Sequence, residues 1–257
     1  MNVPMYAQAA GWGLVAGSGL LIGAVVAVTF AGRLSHRIIA AVMGFGGGVL
    51  IAVLSVDLMD SAFNDGGPMA ATVGFLFGAT AFSAINWRLA QAGARHRNRC
   101  GDCVAQPSEA EHRGSGLAIM LGAVLDGVPE AAVIGLSLLD GGRTGLGLVA
   151  GFFLANVPQG LSGASGMKKA GRSSRYIFGL GTGVLLISGL SAAAGYLLLG
   201  AASSTLPATI LAFAGGGVLA MLAESMIPEA FAEAQPFIGL VTVVGFLVAF
   251  LTIKMPA

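Results

Sequence analysis

Two short stretches carry the residues best suited to chemistry. Leu125-Asp126-Gly127-Val128-Pro129-Glu130-Ala131 sets two carboxylates four residues apart around a proline. Ala155-Asn156-Val157-Pro158-Gln159-Gly160 sets two carboxamides three apart around another. On a helix, positions three or four apart share a face, so each stretch aims its pair of oxygen-bearing side chains one way. Proline has no N–H, which leaves the carbonyls of Leu125 and Leu154 without their helical donors. Two carboxylates, two amide oxygens and up to two released carbonyls make an all-oxygen donor set. Such a set suits a divalent ion, because two like charges in a low dielectric need a compensating cation or proton. The plainer alternative is a pair of proline-kinked helices glued by polar side chains. It accounts for Asn156 and Gln159 but leaves two acids on one face unexplained.

The elements that must position these residues are membrane helices. Of 257 residues, 56% are hydrophobic and only 10% charged, against the roughly 25% charged residues of ordinary soluble domains. That excludes a water-facing globular enzyme, a disordered chain and a nucleic-acid binder, and makes lipid the surrounding partner. Solid apolar runs at 11–32, 38–63, 69–92, 114–139, 144–166, 176–200, 206–231 and 236–254 can each cross a hydrocarbon core of about 30 Å as a helix. They do not alternate as barrel strands would. The expected fold is therefore an all-α polytopic membrane protein, with residues 1–257 forming a single transmembrane domain of eight helices. Residues 1–10 carry no Lys or Arg, so the first run is not expected to be a cleaved leader.

Basic residues set the orientation. Arg33 and Arg37, then Arg95, Arg97, Arg99 and Arg113, then Lys168, Lys169, Arg172 and Arg175 fall in three loops that eight spans place on one side. By the positive-inside rule that side is cytoplasmic and both termini lie outside, in an inner (cell) membrane of bacterial type. Arg143 and Lys254 run against the bias. Residues 93–113 read as a flexible cytoplasmic loop between helices 3 and 4. Cys100 and Cys103 there have metal-ligand spacing, with His96 or His112 available to complete a site, although a lone Cys-x2-Cys is a weak signal.

The chain also repeats itself. Gly46-Gly47-Gly48-Val49-Leu50 in span 2 matches Gly215-Gly216-Gly217-Val218-Leu219 in span 7, and each is followed by acids: Asp57 and Asp60, Glu224 and Glu229. Leu20-Leu21-Ile22 matches Leu185-Leu186-Ile187, and the two Val-Pro steps match each other. Partners lie an odd number of spans apart, so they run oppositely. This is a 3+2+3 inverted-topology repeat, a plan common among secondary transporters. It assigns Asp57 and Asp60 to the outer mouth and Glu224 and Glu229 to the inner one. The Gly-rich faces can pack within the fold or between two copies, so a homodimer is compatible with the sequence.

In layout and in these steps the chain resembles the ZIP (Zrt/Irt-like) family of metal-ion transporters. The resemblance implies eight spans, external termini, a variable loop between spans 3 and 4, and a metal site built from His-Asn-x-Pro-Glu-Gly in span 4 and x-Pro-Glu in span 5. Here Asp126 and Gly127 stand at the His and Asn positions, Ala155 at the first span 5 ligand, and Gln159 at the bridging Glu. Glu130 is the unchanged ligand of these two steps. Glu224-Ser225-Met226-Ile227-Pro228-Glu229 resembles the acidic end of the family's span 7. The family implies zinc as substrate, whereas an all-oxygen site leans toward manganese, iron or another hard ion.

The expected function is divalent-metal transport by alternating access, with Asp126, Glu130, Asn156, Gln159, Glu224, Glu229, Asp57 and Asp60 along the path. A transporter-like protein that has lost conduction is the alternative raised by the altered motif. An enzyme is not expected, since the chain has no His-Glu-x-x-His step and no span carries a histidine base.

Overall fold

The computed structural model describes residues 3–30, 34–94, 115–139, 146–199, 205–232 and 236–254. Among them every regular element is helical. The α-helices are α1 (Met5–Thr29), α2 (His36–Val53), α3 (Met59–Leu89), α4 (Ser115–Ser137), α5 (Leu146–Lys169), α6 (Ser174–Leu199), α7 (Thr205–Met221), α8 (Ile227–Ala232) and α9 (Ile238–Lys254). Among the described residues five stretches are long and apolar enough to cross a membrane: Met5–Thr29, Arg37–Ala92, Leu146–Lys169, Ser174–Leu199 and Thr205–Phe231. Large side chains on their outer faces, such as Leu190, Leu198, Met69 and Phe77, are exposed, while the buried core is built mostly of Ala, Val, Leu, Ile and Met. A continuous apolar exterior of this kind belongs in lipid, and the chain is an all-α integral membrane protein.

Several boundaries differ from those expected. The second and third apolar runs form one helical stretch that bends at Gly67, whose φ of 74° and ψ of 178° are open to glycine alone. Pro68 follows and starts the returning arm. Helical structure continues through a π-turn, Ala90–Ala94, two residues into the expected loop. His36, read as a loop residue, is the first residue of α2, which Ser35 caps by accepting the Ile38 N–H at 3.4 Å. The rest of that loop, with His96, Cys100, Cys103 and His112, lies outside the described residues.

Glycine decides which helices touch. A Cβ at Gly23 would lie 2.2 Å from the Val157 carbonyl oxygen, and one at Gly160 would lie 2.1 Å from that of Leu20. Only bare backbones let α1 and α5 come this close. Gly19 meets Phe153 and Gly23 meets Val157, so the two helices run parallel. The same interlock joins α4 to α6 (Gly135 on the Ala192 carbonyl, Gly195 on that of Ala132). It recurs between α3 and α7 (Gly78 on Phe213, Gly216 on Phe75) and between α2 and α9 (Gly48 on Thr242, Gly245 on Phe45). By contrast α1 and α6 run antiparallel, with Gly13 at Ser188 and Ala192 and Gly181 at Leu21.

Two further π-turns interrupt the Gly-rich helices. Leu54–Leu58 links α2 to α3, and Leu222–Met226 links α7 to α8. One begins six residues after Gly48, the other six after Gly216. Counted from the π-turns, Gly48 therefore corresponds to Gly216, one residue away from the alignment suggested by the two Gly-Gly-Gly-Val-Leu runs.

Candidate metal-ion site

Pro129 and Pro158 both sit inside helices, α4 and α5, and the four polar residues around them are buried. Relative exposures are 6% for Asp126, 2% for Glu130, 4% for Asn156 and 5% for Gln159. The expected inward projection of both pairs is therefore met. Asn156 Nδ2 donates to the Ala16 carbonyl of α1 at 3.1 Å, which fixes its amide plane. Among the described residues neither Glu130 oxygen has a hydrogen-bond partner, and neither does Gln159 Nε2. The polar side chains that act on Glu130 are Asp126 of its own helix and Asn156 of α5.

The two acids do not share one chamber. Asp126, Asn156 and Gln159 line a narrow cavity between α1, α4, α5 and α6, whose other walls are apolar or glycine. Glu130, one turn further along α4, is not among the residues lining it. Among the described residues no three His, Cys, Asp or Glu side chains gather as a metal cluster. Any ion held here would be completed by the side-chain amide oxygens of Asn156 and Gln159 and by the backbone carbonyls that Pro129 and Pro158 leave without helical donors.

The remaining candidates lie at the two ends of the molecule. Asp57, in the first π-turn, lines a larger cavity of about 410 Å³ together with Ser61, Asp65 and Ser137. Asp60 is exposed and does not line it. Lys254, at the end of α9, acts electrostatically on Asp57. At the opposite end, Glu224 in the π-turn after α7 is exposed and accepts hydrogen bonds from Ser83 Oγ and from Asn86 Nδ2, the latter at 2.7 Å. Glu229 is half-buried in α8.

Three of these residues escaped the sequence reading. Ser83 and Asn86 are three apart on α3, the same spacing as Asn156 and Gln159, so a polar pair in an apolar run was there to be noticed. Asp65 sits in Asn64-Asp65-Gly66-Gly67-Pro68, which reads as a connector.

No protein-family model matches the chain, and no curated protein matches it.

Proposed function

We propose that the chain is a divalent metal-ion transporter working by alternating access, with the ion held between α4 and α5. Glu130 carries the reading. A carboxyl group that is 2% exposed and has no hydrogen-bond partner among the described residues is costly in a low-dielectric interior. A cation between Glu130, Asp126 and the oxygens of Asn156 and Gln159 offsets that cost, and the family resemblance of the same residues points the same way.

The packing directions support eight traverses in a 3+2+3 inverted repeat. Each parallel pair (α1 with α5, α4 with α6, α2 with α9, α3 with α7) is an even number of traverses apart, and the antiparallel pair α1 and α6 is an odd number apart. Exchanging traverses 1, 2, 3 and 4 for 6, 7, 8 and 5 turns each interlock into another of the four. On this reading, with the basic loops inside, both termini lie outside, the Asp57 cavity opens at the outer mouth and Glu224 and Glu229 lie at the inner one. The substrate is zinc by resemblance, with manganese or iron favoured by the hardness of the donors.

Metal uptake into proteoliposomes tests the function. Wild-type protein is expected to load Mn²⁺ or Zn²⁺ above protein-free vesicles, and Asp126→Ala and Glu130→Ala to lose that uptake. If both variants transport like wild type, the site is misassigned. The second reading, a transporter-like protein without conduction, is favoured because among the described residues no three His, Cys, Asp or Glu side chains gather; it is the outcome if wild type itself moves no ion.

A further inference from the structure

The cavity between α1, α4, α5 and α6 ends beside a basic turn. Met167 is the last residue of α5 that lines it and Ile177 the first of α6, and residues 168–176 join the two. That connection carries Lys168, Lys169, Arg172 and Arg175, and the stretch 141–223 around it contains no acid. The turn is tightly built. The Arg172 N–H donates to the Met167 carbonyl at 3.0 Å and the Gly171 N–H to that of Lys168 at 3.1 Å, with Gly171 at a φ of 79°. Ser173 then caps α6 by accepting the Tyr176 N–H at 3.2 Å. Lys168 Nζ donates to Ser174 Oγ at 3.2 Å, and the Arg172 guanidinium lies 5.1 Å from the centre of the Tyr176 ring. Four cations are thus presented where two membrane-crossing helices leave the hydrocarbon and meet the lipid headgroups.

Beyond its polar end at Asp126, Asn156 and Gln159 the cavity has apolar or glycine walls. Gln159 to Met167 is eight residues of α5, or about 12 Å at ~1.5 Å per residue. The space open to the centre of a water-sized sphere is about 50 Å³. Spread along that length it has a cross-section of about 4 Å², which with the sphere's own ~1.4 Å gives a bore of about 2.5 Å radius. A polymethylene chain needs about 2 Å, half the contact distance between carbons. A helix, about 10 Å across, is excluded. Water finds few partners on apolar walls, and a free anion makes no use of them. We infer that an anionic phospholipid is bound here, with its phosphate on the basic turn and one acyl chain in the cavity. The walls accept any lipid tail; the cations at their end select a negative headgroup, and the planar Arg172 and Arg175 guanidinium groups can each meet two phosphate oxygens. The chain runs from Met167 and Ile177 toward Ala123 and stops short of Asp126, whose carboxyl group a methyl end would strip of polar neighbours.

The site rests on the chain being a membrane protein and not on transport. Lipid titration of the delipidated full chain in neutral detergent, read by native mass spectrometry, tests it. Dioleoylphosphatidylglycerol is expected to bind about tenfold or more tightly than dioleoylphosphatidylcholine, which has the same chains and no net charge, because each nearby cation contributes about fivefold. Arg172→Gln combined with Arg175→Gln removes that preference. Ala123→Leu, which narrows the cavity, weakens phosphatidylglycerol by about tenfold with the cations intact, since each methylene kept out forfeits about fourfold. Equal binding of the two lipids by wild type, or a preference that survives the double variant, overturns the charged site. Undiminished binding by Ala123→Leu, or glycerophosphoglycerol binding as tightly as the whole lipid, overturns the seating of the chain. The two lipids and the free headgroup on wild type decide the matter even if the variants do not fold. A wild type that binds phosphatidylglycerol selectively but moves no ion keeps the lipid site and removes the transporter reading; uptake without lipid selectivity does the reverse.

Discussion

Glu130 is the residue at which stability and the proposed activity oppose each other. An unsatisfied buried carboxyl group costs about 1–3 kcal/mol in the absence of an ion. Glu130→Leu keeps much of the volume and removes both oxygens. Its melting temperature in metal-free detergent is therefore expected to rise, by an amount equivalent to about 1–3 kcal/mol, while metal uptake disappears. A fall in melting temperature would show that the carboxyl group has a partner in the folded state. Glu224 behaves in the opposite way, because its two donors satisfy it. A double-mutant cycle on Ser83→Ala and Glu224→Gln, read by denaturation in detergent, is expected to give a coupling of about 0.5–3 kcal/mol; additivity would mean that the contact is not held. The pairs on α4 and α5 are legible in the sequence because acids and amides at helical spacing break an apolar run. The partners of Glu224 are not, because they lie 141 and 138 residues away and only packing brings them near.

At the scale of the element, backbone approach governs the architecture. Gly67 occupies a conformation that costs other residues about 1–3 kcal/mol, so Gly67→Ala should lower stability by that amount and leave the helices on either side intact by circular dichroism. Gly160→Val is expected to be worse. Its Cβ alone would meet the Leu20 carbonyl at 2.1 Å, and a main-chain atom cannot swing aside as a side chain can. The loss should reach at least the 1–3 kcal/mol typical of overpacking, with α1 displaced from α5; crosslinking between cysteines placed on the two helices checks it. The glycine count announces close packing, but which glycine faces which carbonyl depends on helix rotation. That rotation sets Gly48 on the Thr242 carbonyl and Gly216 on that of Phe75, positions that correspond one residue away from the sequence match, and the π-turns that follow left no signal in composition.

At the scale of the whole molecule, two measurements bear on how the chain sits and what it holds. An ion bound only by the folded state stabilises it by about 2.7 kcal/mol at one hundred times its dissociation constant, so Mn²⁺ or Zn²⁺ should raise the melting temperature of wild type and not that of Glu130→Leu. Topology is read with an impermeant thiol reagent on intact cells. The wild-type chain, with cysteines only at Cys100 and Cys103, is expected to label only after permeabilisation. Val3→Cys in a Cys100→Ser, Cys103→Ser background is expected to label from outside. The reverse pattern inverts the assignment of the two mouths.

Composition and run length by themselves determined that this is a helical membrane protein, because each apolar run must satisfy its own backbone hydrogen bonds and hide its peptide groups from lipid. Spacing determined that Asp126 with Glu130, and Asn156 with Gln159, turn inward as pairs. The tertiary structure alone decided that Asp126 borders a narrow cavity while Glu130 does not, that Glu224 is held by Ser83 and Asn86, and that Asp57 shares its cavity with Asp65. Those outcomes depend on the rotation and depth of one helix against another. Contacts between residues far apart in the chain set both, and no local pattern encodes them.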